Sequence, residues 1–179
     1  MENTYRLTVA GVTRDLPLCA VNDKLDIAAF IMFGDVELTI ACAEALLKVV
    51  PEFDVILTAE AKGIPLAYEM SRQSGKKYYP ARKKAKLYMK RPVEIAARTI
   101  TTADEQRLVM DQDELDEMDG KRILIVDDVI STGGALLALE AVASHSKGTV
   151  VGKAAVLAEG DAANRSDIIF LEKLPLFFK

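Results

Sequence analysis

"ILIVDDVISTGGALLAL", residues 123–139, leads from an apolar run into two adjacent carboxylates and then through a hydroxyl- and glycine-rich turn into a second apolar run. The first part, RILIV (122–126), reads as a buried strand, and ALLALEAVASH (135–145) has the spacing of a helix that ends near Gly148. A strand that passes straight into a helix sets the helix N-terminus, with its unpaired N–H groups, at the strand's carboxyl end, where an anion is favoured. Ser131 and Thr132 add hydroxyl donors there, and Gly133, Gly134 and Ala135 let the backbone curl around a phosphate. Asp127 and Asp128 would repel that phosphate, so they must face a hydroxyl-bearing part of the same ligand. A sugar phosphate meets both demands: the two acids accept from vicinal ribose hydroxyls while residues 131 to 135 hold the 5′-phosphate. The competing reading is an acidic turn that caps the helix; a cap needs one acid and explains neither the second nor the Ser-Thr-Gly-Gly run.

Outward from this stretch, short apolar runs alternate with helical patterns, which predicts an α/β fold of parallel βαβ units. VELTIACAEALLKVV places a helix over residues 36–49 with Asp35 as N-cap and Pro51 just beyond it. FDVILT (53–58) follows as a buried strand, GIPLAYEMSRQ (63–73) as a helix closed near Gly75, and KKYYPA as a short strand. TVVGKAAVLA and DIIFL give two more strands, and LEKLPLFFK an apolar strand or tail. The length of 179 residues, half of them hydrophobic, suits one domain with a full core. A net charge of −4 speaks against wholesale binding to nucleic acid or an anionic membrane. No apolar run approaches the ~20 residues of a spanning helix, and the first residues lack a signal peptide's pattern, so a cytoplasmic protein is expected. Cys19 and Cys42 have no metal-ligand spacing and the single histidine is His145, so packed, reduced thiols are expected and no protein metal site is assigned.

A second stretch, TAEAKGIPLA (58–67), repeats the strand-to-helix handover: the strand empties into Glu60, Ala61, Lys62 and Gly63, where backbone N–H groups and a cation meet. A plain connection with a solvated Lys62 is the alternative. The third stretch, KKYYPARKKAKLYMKR (76–91), carries eight Lys or Arg with Tyr78, Tyr79 and Tyr88 among them. Such a run could bind nucleic acid, be a solvated face, or close as a lid over a polyphosphate. The net charge favours the lid, and PVEIAARTITTADEQ after it has little helical patterning and is expected to be a long loop.

On these residues ILIVDDVISTGG resembles the phosphoribosyl-pyrophosphate signature of type I phosphoribosyltransferases. The resemblance implies their fold: a parallel twisted sheet flanked by helices, within a single domain 1–179, with a small N-terminal hood (about 1–35) and a flexible lid (about 82–106). EAKG is similar to the EARG or EASG of purine-using members, whose loop binds pyrophosphate and in some relatives has a cis non-proline peptide; this assigns Glu60, Ala61, Lys62 and Gly63 to pyrophosphate, with Lys62 where adenine enzymes have arginine. ARKKAKL is similar to the RKPGKL that opens the lid of adenine enzymes, which adds Arg82, Lys83 and Lys86. AAFIMFGDVEL loosely resembles the FRDIT region near the base pocket, pointing to Phe33.

The reaction implied is displacement of pyrophosphate from phosphoribosyl pyrophosphate by a purine ring nitrogen, with Asp127 and Asp128 as the catalytic pair and Mg²⁺ carried mainly by the substrate's oxygens. Adenine is the first choice of base and a 6-oxopurine the second, because a neutral Ser131 stands where many hypoxanthine-guanine enzymes resemble one another in having an aspartate. Orotate is weaker, since the lid reads AKLYM. A purine-responsive regulator of the same fold is the rival, but it would carry an added DNA-binding domain. A homodimer is implied. Two departures from the adenine pattern stand out: Ala135 replaces a common threonine, and residues 95–103 offer no acid where some adenine enzymes have a lid glutamate. The acidic run 111–120 reads as a solvated turn or helix face, and His145 as structural.

Overall fold

The chain opens with β1 (Thr4–Val9) and β2 (Val12–Asn22), joined by Ala10 and Gly11, both at positive φ (51° and 77°) as a twist-matched two-residue hairpin turn requires. The computed structural model describes residues 3–98 and 105–179. β3 (Leu25–Ala28) pairs antiparallel with β2, and the α1 helix (Val36–Leu47) begins at Asp35, whose carboxylate accepts from the Leu38 N–H at 3.2 Å. Asp35 is also paired with Arg14 Nε at 2.8 Å, which ties β2 to the start of the helix. Two half-exposed partners make that tie a modest contribution to stability and a firm one to orientation.

β4 (Val55–Ala59), α2 (Ile64–Ser74) and β5 (Lys77–Ala81) form the first βαβ unit, with Gly75 at φ 71° ending the helix as expected. After the ribbon of β6 (Pro92–Arg98) and β7 (Glu105–Asp111) come α3 (Gln112–Glu117), β8 (Arg122–Ile130), α4 (Gly134–Ser144), β9 (Thr149–Glu159), β10 (Ile169–Leu174) and β11 (Leu176–Phe178). Five strands make the parallel sheet, in the order β10-β9-β8-β4-β5. β8 and β4 are neighbours, yet β4 leads outward to β5 and β8 leads outward to β9. Their carboxyl ends therefore flank the crevice at which an open α/β sheet accepts a ligand.

Alternation along the central strands divides the core in two. Val55, Leu57, Ile123 and Ile125 pack with α4 on one face, while Ile56, Leu124 and Val126 pack with α1 and α2 on the other. Near-continuous apolar strands follow from burial on both sides. β11 was expected as a strand or tail; it pairs antiparallel with β3, Leu176 opposite Ile27, and completes a four-stranded sheet over the N-terminal end of the cavity.

Two expectations are corrected. Residues 92–106 are no loop among the described residues: Pro92–Arg98 and Glu105–Asp111 pair from Pro92↔Asp111 to Arg98↔Glu105. The reason is an alternation overlooked in the sequence, Val93, Ile95 and Ala97 facing Leu108 and Met110, whose apolar side packs into the α4 face of the core. Residues 99–104 of the expected lid lie outside the described residues. The cysteines also differ: Cys42 is buried, which pushes its thiol up to about 12, whereas Cys19 on β2 is exposed. The acidic run forms α3, capped by Asp111, whose Oδ1 lies 3.3 Å from the Asp113 N–H.

Packing of the ribbon is testable. Ile95 is 3% exposed, so Ile95→Ala is expected to cost about 2–4 kcal/mol in denaturant unfolding, whereas a solvated lid would tolerate the change.

Candidate active site

A cavity of about 720 Å³ opens at the carboxyl ends of β4 and β8. Both central motifs reach it: Glu60, Ala61 and Lys62 from one, Asp127, Asp128, Ser131 and Ala135 from the other. The strand-to-helix turns differ from those elsewhere in the chain. α1 and α3 begin with aspartate caps, but α2 begins at Gly63 and α4 at Gly133, neither with a side-chain cap. At α4 the leading N–H groups are thus left for a ligand, whereas at α2 the Ile64 N–H donates to Ala61 O at 3.2 Å and Pro65 has none, which leaves fewer donors there. Gly133 has φ +86°, a conformation that favours glycine. Gly63 answers a different need, close approach: a Cβ there would sit 2.5 Å from Thr58 Oγ1 and 3.0 Å from Asp127 Oδ1. The Glu60–Ala61 peptide is cis.

The two aspartates are held differently. Asp127 Oδ1 accepts from the Asp128 N–H at 2.8 Å, and burial followed by the charge of Asp128 pushes the Asp127 carboxyl well above the usual carboxylate range. Asp128 is 3% exposed and its Oδ2 has no hydrogen-bond partner among the described residues; Lys62 Nζ stands 3.6 Å away. An unpaired buried acceptor is costly unless a ligand supplies the donor. Thr58 Oγ1, fully buried beneath Gly63, is likewise unpartnered.

The lid residues are distributed unevenly. Glu60 gathers them: its carboxylate accepts from the Lys83 N–H at 2.9 Å, lies 3.3 Å from Arg82 Nε and 4.0 Å from Lys86 Nζ, and is held below the usual range, chiefly by the Lys83 N–H and then by Arg82. Arg82 also donates to the Tyr88 hydroxyl and exchanges backbone hydrogen bonds with Val109. Arg82 and Lys86 therefore brace the pyrophosphate-type loop, and of the three only Lys83 lines the cavity. Thr132, Gly133 and Gly134 form the turn at its edge. Phe33, expected beside the base, instead lines a second hollow of about 500 Å³ with Val36, Ile40 and Tyr68; the cavity wall is made by its neighbours Phe30 and Ile31. Gly34, at φ 77°, follows Phe33 and leads the chain into α1.

Two side chains that pattern alone did not single out border the site. Arg165 is fixed by Asp167 through Nε and Nη2, at 2.8 and 2.7 Å, and its Nη1 comes within 2.9 Å of where a Cβ on Gly133 would lie. Glu159, at the end of β9, accepts from Ser131 Oγ at 2.9 Å. Neither sits in a motif; each is brought in by a strand neighbouring β8 or by the turn after it.

Comparison with known proteins accords with this geometry. Residues 37–173 match the model of the phosphoribosyl transferase domain. The chain belongs to the phosphoribosyltransferase family. Over 100 residues it is 36% identical to an adenine phosphoribosyltransferase of Thermotoga petrophila, a match that spans 56% of each protein. It is 32% identical over 125 residues to that of Brachyspira hyodysenteriae, covering 70% of this chain and 69% of the relative. In fold it is similar to the crystal structure of adenine phosphoribosyltransferase from Thermoanaerobacter pseudethanolicus, with a TM-score of 0.67 and 23% identity over 79% of this chain and 84% of that one. No helix among the described residues is long and apolar enough to cross a membrane.

The raised Asp127 carboxyl makes a signed prediction. An acid whose pKa is raised by folding is stabilising in its protonated form and costs stability as pH climbs through the folded value. Asp127→Asn in the unliganded protein is therefore expected to raise the melting temperature by about 2 °C or more at pH 7, with the gain shrinking toward pH 4. A gain that does not shrink on acidification would contradict the assignment.

Proposed function

We propose that this chain transfers the phosphoribosyl group of phosphoribosyl pyrophosphate to a purine base, adenine first, giving the nucleoside monophosphate and pyrophosphate. The observation that carries the reading is the pairing, at one crevice, of two helix N-termini without side-chain caps with a buried Asp128 and a half-buried Asp127 beside it. One donor molecule asks for that layout: an anion at each end and hydroxyls in the middle. Asp127 and Asp128 accept from the ribose hydroxyls, and Asp128 Oδ2 gains the donor it lacks. Residues 131 to 135 hold the 5′-phosphate through backbone N–H groups and the Thr132 hydroxyl, the Ser131 side chain being turned to Glu159. Arg165 Nη1 supplies a cation beside Gly133, offsetting the hydroxyl missing at Ala135. Ala61, Lys62, Gly63 and Lys83 receive the pyrophosphate, with Glu60, Arg82 and Lys86 fixing the loop's shape.

Charge develops at two places as the C1′–oxygen bond breaks, on an oxocarbenium-like sugar and on the departing pyrophosphate. Lys62, between the two loops, is placed to follow the second. The unpaired Asp128 oxygen and its neighbour Asp127 fit a hydrated Mg²⁺ reached through water, and that ion, bound to the donor's oxygens, supplies neutralisation of the leaving group. The first 35 residues serve as hood over the base, the basic segment before the β6–β7 ribbon, residues 82–91, as what remains of the expected lid, and a cytoplasmic homodimer is the assembly the family resemblance implies. Adenine ranks first because the relatives matched are adenine enzymes and Ser131 is neutral; a 6-oxopurine is second.

Incubation of the protein with Mg²⁺, phosphoribosyl pyrophosphate and adenine, hypoxanthine, guanine, xanthine or orotate in parallel is expected to yield AMP fastest. Nucleotide from none of them, with the donor still bound, would indicate a regulator. Arg165→Ala is expected to raise the KM for phosphoribosyl pyrophosphate about tenfold, with a smaller effect on kcat; an unchanged KM removes Arg165 from the phosphate site.

A further inference from the structure

We propose, resting on the reading just given, that Glu159 accepts the proton which the purine loses as its N-glycosidic bond forms, and that Ser131 positions this carboxylate. With ribose at Asp127 and Asp128 and the anions at the two helix ends, the part of the cavity left for the base is walled by Phe30, Ile31, Val129 and Leu174. Those walls are apolar and suit a flat heterocycle, and Glu159 lines the same cavity. β9 ends at Glu159, and Gly160, at φ +58°, turns the chain away at once, which leaves the side chain at the cavity rim.

Among the described residues, the other acids lining the cavity are engaged elsewhere in that reading. Glu60 is taken by Arg82 and the Lys83 N–H, Asp128 faces Lys62, and Asp127 lies beside it under the ribose. Glu159 is met by a hydroxyl at 2.9 Å instead of a cation, so its second oxygen is left to accept. Ser131 stands three residues past Asp128, between the sugar's acids and Glu159, so the turn that holds the donor also sets the carboxylate beside the acceptor.

The step balances. A ring-nitrogen lone pair forms the bond to C1′, the C1′–oxygen bond breaks with its electron pair leaving on pyrophosphate, and the N–H proton of the neutral base passes to the Glu159 carboxylate. The acid so formed returns its proton to solvent on product release. No oxidant, reductant or further reactant is needed.

The test uses the full chain with Mg²⁺ and adenine. Glu159→Gln keeps size and loses proton affinity; it is expected to lower kcat by about 100-fold or more, to flatten the acid limb of the kcat–pH profile, and to leave the Kd of phosphoribosyl pyrophosphate, measured by calorimetry without base, within about twofold. Ser131→Ala should lower kcat about tenfold with the acid limb retained. Glu159→Ala, with added formate, supplies a second reading that does not depend on how Gln packs: recovery of turnover supports the assignment and absence of recovery overturns it. Glu159→Gln with wild-type kcat, or with lost turnover but an unchanged acid limb, also overturns it. Failure of the wild-type protein to form nucleotide from any base would instead overturn the functional reading, and this assignment with it.

Discussion

The parallel pairing of β4 with β8, Val55 to Leu57 against Ile123 to Ile125, is the contact on which the rest of the molecule depends. It sets side by side two strands that leave the sheet in opposite directions, and so opens a crevice between two turns that are far apart in sequence. Each turn alone is an ordinary anion cradle. Together they impose an electrostatic problem, because a buried Asp128 and a half-buried Asp127 stand where two helix ends attract further negative charge. The folded chain answers with one nearby cation, Lys62, and leaves the Asp128 oxygen unpaired. Polar groups in such a state store a cost that binding can relieve.

Two cores support the crevice from opposite faces. On one, α4 is packed against both the sheet and the β6–β7 ribbon, so the basic segment before the ribbon hangs from a fixed body. Glu60 is the link between that segment and the crevice: the carboxylate that opens the β4 turn also collects Arg82, Lys86 and the Lys83 N–H. The basic segment is thereby tied directly to the turn that ends β4.

Where physics is local, the sequence was readable. A strand of Ile, Leu and Val followed by Asp-Asp and Ser-Thr-Gly-Gly leaves few alternatives for residues 122–135, and Asp35, Gly75 and Pro51 punctuate their helices as their chemistry dictates. The ribbon was missed because its alternation is carried partly by small Ala96 and Ala97, and the buried side emerges only when Leu108 and Met110 are set opposite. Phe33 lies three residues from Phe30 and lines a different hollow, a separation that the local sequence does not show. Thr58, Glu159 and Arg165 carry no local signal at all. Thr58 matters through Gly63, Glu159 through Ser131 and Arg165 through Gly133, contacts that exist only after the sheet has assembled.

The seam between β11 and β3 joins Leu176 to Ile27, across almost the whole chain, and Ile27 and Ala28 wall the cavity. Contacts of such sequence separation form late, since loop closure must precede any gain from them. During synthesis the five-stranded sheet and its two anion turns can thus exist before the wall above them is finished. A molecule clipped after Leu174 would keep the five-stranded sheet and the charged floor of the crevice and lose the strand that braces β3 in the wall above it.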